Sequence, residues 1–389
     1  MTKVFDFKKW GSTGTLVGIV GAAICAAVFS SMPKDFLASY MYAYIFWLGL
    51  SLGCLGLLTL HHTVRGSWSL SVVRIYEAGG GPIMFVMQAI LFLPILLARG
   101  DIYHHWLHPD ATDKVLQAKQ WWLNEPFWLG RTIAYFVIWI ILGHVLASSS
   151  QKEDKTKDTA LGRRRSSVGA AGLVVFMLTV TFAITDWLMS VDPHWSSTIF
   201  GVWTAINGAL AALAVGTIIV TTGALKGVEP YSNVWTPNLG KDLGNMMFTF
   251  SMLWCYTTLS QYLIIWSGNL PEYITFYTNR NGDFWNAVGA FNIIVGFFVC
   301  WGFLLSPRVK ANANSLRNVA WAILIIRATD WLWNVIPFFR VHLAWTEALA
   351  MVTLGGFWFA VMGQLMPKAA TIPEHDTRLF EMAKMEAAH

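Results

Sequence analysis

An all-α integral membrane protein with ten transmembrane helices is the predicted fold class, and three observations predict it. The 389 residues are 55% hydrophobic and only 13% charged, with a mean hydropathy of +0.50; an average soluble domain is about 25% charged. Apolar runs close to the ~20 residues of a spanning helix recur along the whole chain. Lysine and arginine gather in alternate connections between those runs. The period-two alternation of a membrane barrel does not occur in them.

The first run, 14–31, follows the basic start KVFDFKKW and lacks a clear small-residue cleavage site. It is therefore expected to stay as a helix and not to leave as a signal peptide. The second is 38–61. Segment 65–77, RGSWSLSVVRIYE, is amphipathic at helical spacing. It reads as a helix lying along the inner interface, with an inward extension of the third span as the alternative. The third run, 81–98, is short and opens after Gly79-Gly80-Gly81-Pro82, a turn into the membrane. Segment 99–126 has enough Trp and His to predict a docked surface and not a free loop.

Spans four and five, 127–147 and 168–189, are joined by SSSQKEDKTKDTALGRRRSS. Its charge-rich composition predicts a flexible loop at the lipid surface, with the triple Arg as a positive-inside anchor and no nucleic-acid role. Runs 198–222, 243–266, 284–305, 316–335 and 346–366 complete the ten. Segments on the N-terminal side, down to the tail from Pro367, carry 19 basic residues against 6 on the other side. Both termini are thus expected in the cytoplasm. Cys25, Cys54, Cys255 and Cys300 all fall in apolar runs without CxxC or CxxCH spacing, and read as small buried hydrophobes.

TDWLMSVDP at 185–193 and TDWLWNVIP at 329–337 share six of nine positions. Each ends a span of the same direction, four spans apart, and each follows a span that opens with an aromatic pair, Phe127-Trp128 or Phe284-Trp285. This predicts one membrane domain of two parallel four-helix bundles, 38–189 (spans two to five) and 198–335 (spans six to nine), flanked by spans one and ten. In each copy the acid sits near the outer end, the Trp belongs to the interface belt, and the Pro ends the span.

Arg327 lies deep in span nine, where an arginine costs on the order of 3 kcal/mol to insert and needs a partner. Asp330, three residues on, shares its helix face. Arg131 and Asp186 lie at similar depths on antiparallel spans four and five and are expected to pair. Such pairs serve either to lock helices or to relay protons. If one acid titrates in turnover it should be the better solvated one, and depth points to Asp186. His61, His62 and His144, near the inner ends of spans two and four, suit interfacial hydrogen bonding best, with titratable entry groups of a proton path as the next reading. Tyr256, Gln261, Asn286 and Asn292 read as interhelical hydrogen-bonding groups, and His104, His105 and His108 as outer surface.

LHHTVRGSWSLSVVRIYEAGGGPIMFVMQAILFLP (60–94) and ITDWLMSVDPHWSSTIFGVW (184–203) resemble the NrfD-like membrane subunits of the polysulfide-reductase type. Within these they are similar to the F subunits of alternative complex III, a bacterial quinol:cytochrome c (or electron carrier) oxidoreductase. The resemblance rests on His61-His62, Trp68, Arg74, Glu77 and the Asp186–Pro193–Trp195 block. It departs from the family pattern at Gly66-Ser67, where a glycine pair is usual, and at Val73, where a second arginine is usual.

The resemblance implies a bacterial inner-membrane subunit of ten helices that binds no haem and no iron–sulfur cluster itself. It also implies partners: a paralogous C subunit that oxidises the quinol (menaquinol or ubiquinol), an iron–sulfur subunit, multihaem cytochrome c subunits, small membrane-anchored subunits, surrounding lipids and, in some assemblies, a terminal oxidase. It further implies proton half-channels, whose matching candidates are Asp186 and Asp330 outside, and His61 and His144 inside. The competing functions are an independent secondary transporter on parallel repeats and a purely structural anchor.

Overall fold

The chain is a multi-pass, all-α membrane protein; the computed structural model describes residues 3–4, 6–366, 371–376 and 378–387. Residues 367–370, the start of the expected basic tail, lie outside the described residues. In chain order the helices are α1 (Phe7–Ser31), α2 (Pro33–Val64), α3 (Val73–Gly79), α4 (Pro82–Leu97), α5 (Arg99–Ile102), α6 (His104–Leu107), α7 (Lys114–Lys119), α8 (Glu125–Thr156) and α9 (Thr159–Trp187). They continue with α10 (Phe200–Leu225), α11 (Tyr231–Val234), α12 (Pro237–Gly268), α13 (Pro271–Thr278), α14 (Asp283–Ile293), α15 (Cys300–Leu305), α16 (Pro307–Ala311), α17 (Ala313–Val335), α18 (Thr346–Leu365) and α19 (Arg378–Ala387). One two-residue parallel pairing, Lys3–Val4 with Val228–Glu229, joins the N-terminus to the segment after α10.

Local chemistry sets the helix starts. Asn124, Asp158, Thr236 and Asn312 cap α8, α9, α12 and α17, each accepting from a backbone N–H two or three residues on. Pro33, Pro82 and Pro237 occupy first turns, where no N–H is needed.

Nine helical segments are long and apolar enough to cross a membrane among the described residues. The predicted seventh span forms as the 32-residue α12 but is not among the nine. Its Asn, Gln, Thr, Ser and Tyr side chains dilute its hydropathy, and Gln261 among them is buried against neighbouring helices.

Two expected connections are corrected. The segment between spans four and five is no flexible loop: α8 and α9 run on until only Lys157 and Asp158 separate them. Lys157 adopts a left-handed backbone (φ 56) and donates its N–H to the Glu153 carbonyl at 2.8 Å. A buried Arg165–Glu153 pair staples the two helices just before the turn. Composition misled because a helix leaving the membrane satisfies its backbone internally and needs no apolar face. Segment 65–77 is not one continuous helix: Ser67–Ser69 form a 3₁₀ turn, and α3 fits the alternative reading, an inward extension of the third span. All of α3 is buried and α3–α4 form one broken span, because Arg74 finds Glu77 and Asp154 within the protein.

Segment 99–126 docks as expected, with Tyr103, Trp106, Leu116 and Leu123 buried beneath α5 to α7. His104, His105 and His108 stay exposed.

α2 and α10 are buried nearly all round and form the centre. α2 packs on α3, α4, α9, α10 and α18; α4 packs on α8, and α8 on α9. α10 packs on α9, α12 and α17, while α12 meets α15 and α14 meets α17. α1 lies outside, against α18. The α2–α10 crossing depends on glycine: a Cβ on Gly53 would stand 1.9 Å from the Gly208 carbonyl oxygen. Backbone cannot yield as a flexible side chain would, so Gly53→Ala should cost about 1–3 kcal/mol. Gly130→Ala, within α8 and with nothing within 4 Å, should instead stabilise by about 0.5–1 kcal/mol. Unfolding of the two variants in detergent should therefore shift in opposite directions.

Candidate functional site

The two TDWL acids end up in similar cages of different tightness. Asp186, at the end of α9, is wholly buried. Its Oδ2 accepts from Arg131 Nε and from the Tyr135 hydroxyl, both at 2.7 Å. Its Oδ1 accepts from Arg131 Nη2 and Trp122 Nε1, both at 2.9 Å. The Arg131–Asp186 pair is thus bidentate, and the guanidinium is sandwiched over the Trp122 and Phe127 rings at 4.0 and 4.2 Å. Even the Asp186 backbone carbonyl is used, accepting from Trp128 Nε1 at 2.9 Å and from Ser190. Four bonds to two oxygens leave this carboxylate saturated.

Asp330, in the last two turns of α17, is held differently. Its Oδ2 accepts from Asn207 of α10 and Trp254 of α12, both at 2.7 Å, and from Arg327 Nη1 at 3.0 Å. Arg327 pairs from the same helix face, as spacing predicted, and stacks over Trp254 at 4.0 Å. Oδ1 has a single 3.4 Å contact from Asn334 Nδ2 among the described residues, and Asn334 donates more closely, at 2.8 Å, to the Asp330 carbonyl. Asp330 also lines a cavity of about 450 Å³ among α12, α14 and α17. The expectation that Asp186 is the better solvated acid is therefore corrected. The Trp122-bearing connection closes over Asp186, and α12 and α14 stand apart beside Asp330.

Trp187 and Trp331, expected at the interface belt, are also corrected: both are buried. Trp187 Nε1 donates to Thr132 Oγ1 at 3.1 Å. The prolines do follow the helix ends, Pro193 after a 3₁₀ turn at Met189–Val191 and Pro337 within one at Ile336–Phe338. Below Asp330, Arg280 donates to the Trp333 and Asn334 carbonyls at 3.0 and 2.7 Å, satisfying the C-terminal end of α17.

On the N-terminal face, titratable groups gather around the end of α2. His61 Nδ1 contacts Ser69 Oγ, and its ring centroid lies 4.8 Å from that of His62. Both rings are buried. They line a pocket of about 330 Å³ with Arg65, Glu153, Arg165 and His375. His375 Nδ1 lies 2.6 Å from Asp154 Oδ1, and Arg74 joins Asp154 to Glu77 and Ser150. His144 is exposed and is not brought to His61; it lines a neighbouring pocket of about 280 Å³ with Arg74 and Glu77. Among the described residues no group of three or more His, Cys, Asp or Glu is placed to hold a metal ion.

Of the other polar candidates, Gln261 and Asn292 are buried, accepting from Ser197 at 3.2 Å and Thr329 at 2.7 Å. Tyr256 is 67% exposed and Asn286 is exposed. Sequence reasoning missed Trp122, Tyr135, Asn207, Trp254 and Asn334. Tyr135 and Asn334 had a signal, each one helical turn after Arg131 and Asp330. The others reach their acids across tertiary contacts that spacing cannot show.

No protein-family model matches the chain, and no curated protein matches it.

Proposed function

We propose that this chain is the cofactor-free membrane subunit of a respiratory quinol:electron acceptor oxidoreductase of the alternative complex III type. It scaffolds the complex and carries protons, with the outer proton-carrying acid in its second bundle. In this reading α12 also crosses the membrane, as the seventh of ten spans, the two four-helix bundles are parallel repeats, and the face bearing the basic connections is cytoplasmic in a bacterial inner membrane. The quinol, haem c and iron–sulfur chemistry belongs to partner subunits.

The observation that carries the proposal is the asymmetry of the two carboxylates, set against a histidine–carboxylate cluster at the other face. A carboxylate with both oxygens held by an arginine is a poor proton carrier, so Asp186 with Arg131 locks α8 to α9. Asp330 keeps a nearly free oxygen at a cavity wall and is the proton-carrying acid. His61, at that other face, is the inner entry, and His144 stands apart from it in a separate pocket. A transporter reading is disfavoured because the irregularities do not correspond: the third span is interrupted at Gly80–Gly81 and the eighth carries a π-helical stretch at Ile294–Val299, while α12 and α8 are regular throughout.

Purification of the tagged chain from native membranes tests the proposal. Co-purification with haem-staining and iron–sulfur polypeptides is expected; a chain that emerges alone, with full yield, would support a transporter.

A further inference from the structure

We infer that the groove between α1, α10 and α17 is a binding site for one anionic phospholipid of the leaflet on the N-terminal side. α1 packs along α18, where a Cβ on Gly14 would stand 2.7 Å from the Gly356 carbonyl oxygen. Its N-terminal end is tied to the chain after α10 by the pairing of Lys3–Val4 with Val228–Glu229. Between these two ties a gap of about 930 Å³ opens, at the upper end of the range of small-molecule sites.

The floor of the groove is apolar: Val215, Ile218 and Ile219 of α10, with Trp47 of α2 and Phe359 of α18. Water finds few polar partners on such a surface, and hydrocarbon from the membrane suits it. Length decides which hydrocarbon. The groove runs from Val215 of α10 to Lys226 just past it, and along α1 from Lys9 to Val17, about 16 and 12 Å of helix rise. That is close to half of the ~30 Å hydrocarbon thickness, the depth of one leaflet. A partner's spanning helix would need a groove across both.

Charge identifies the headgroup. Lys9 and Lys226 are exposed at the mouth, and their ammonium groups form no ion pair among the described residues. Of the lining residues only Asp6 is acidic, and its carboxylate is engaged as the cap of α1, accepting from the Lys9 backbone N–H at 2.9 Å. Two unpaired cations against one occupied carboxylate favour a phosphodiester whose headgroup adds no positive charge. The lysines are distant in the sequence and share this mouth because the strand pairing brings the start of α1 to the end of α10. Gly227, at φ 63, makes the turn from Lys226 into that strand, a conformation that a side chain would strain.

The test is native mass spectrometry of the purified, delipidated full chain, titrated in detergent with dioleoyl-phosphatidylglycerol or dioleoyl-phosphatidylcholine. Saturable binding of one phosphatidylglycerol is expected, half-saturating at about tenfold lower concentration than phosphatidylcholine, the scale of two lysine contacts. Lys9→Gln with Lys226→Gln should erase that preference. Val17→Trp, which fills the groove from the α1 side, should weaken both lipids. Equal binding of the two lipids, or a preference unchanged in the lysine variant, would overturn the inference, as would Val17→Trp binding like the wild type. In native membranes a diazirine side chain placed at position 218 should capture phospholipid. Capture of a polypeptide there would give the groove to a partner helix and equally overturn the inference.

Discussion

Arg131→Ala is expected to destabilise the protein by about 3–5 kcal/mol, the largest loss of any single substitution considered. Removing one partner of a buried pair leaves the other charge uncompensated in a low-dielectric site, and that penalty far exceeds a typical interhelical hydrogen bond of under about 1 kcal/mol. Asp186 would keep Tyr135 and Trp122 but lose both charge-assisted bonds. The charge then has no counterion within its cage. Replacing the pair together, Arg131→Met with Asp186→Leu, should recover part of the loss. Recovery is incomplete because the Trp122 and Tyr135 donors lose their acceptor. Unfolding of single and double variants in detergent measures this directly; a loss below about 1 kcal/mol for Arg131→Ala would mean that the pair is not the lock proposed.

The Arg131–Asp186 and Arg327–Asp330 pairs were legible in the sequence because each depends on depth and helical phase alone. Apolar run length located every long helix for the same reason, since a membrane leaves a chain few other ways to satisfy its backbone. What was illegible came from contacts between distant segments. The burial of His61 and His62 depends on Arg165, and on a C-terminal segment whose His375 meets Asp154; no periodicity links residue 375 to residue 154. The 148–167 connection was misread because its composition describes solvent exposure, whereas its structure is set by a capped two-residue turn and one ion pair. The relative openness of Asp186 and Asp330 was misjudged because depth along a helix ignores what folds over it. Trp122 closes one site, and the gap between α12 and α14 opens the other.

Asp330→Asn carries the largest expected functional effect. The amide is nearly isosteric and its carbonyl still accepts from Arg327, but it leaves that buried cation without its counterion. The variant therefore loses stability, and its proton release is read only in complex that assembles. The amide does not gain and lose a proton at the working pH. If Asp330 carries protons, its removal should slow proton delivery on the order of tenfold to a hundredfold, the scale of a positioned proton-transfer group. Asp330→Glu, which restores an acid one methylene longer, should recover part of the activity. Asp186→Asn should spare coupling in any molecules that assemble, because its role is to hold helices.

The central claim is that Asp330, and not Asp186, moves protons in an assembled quinol oxidoreductase. Protons released per electron transferred, measured with the purified complex in sealed vesicles, test it most directly. In complex that assembles, the account predicts that Asp330→Asn sharply lowers proton release and Asp330→Glu partly restores it. Unchanged proton release in an intact Asp330→Asn complex would contradict it.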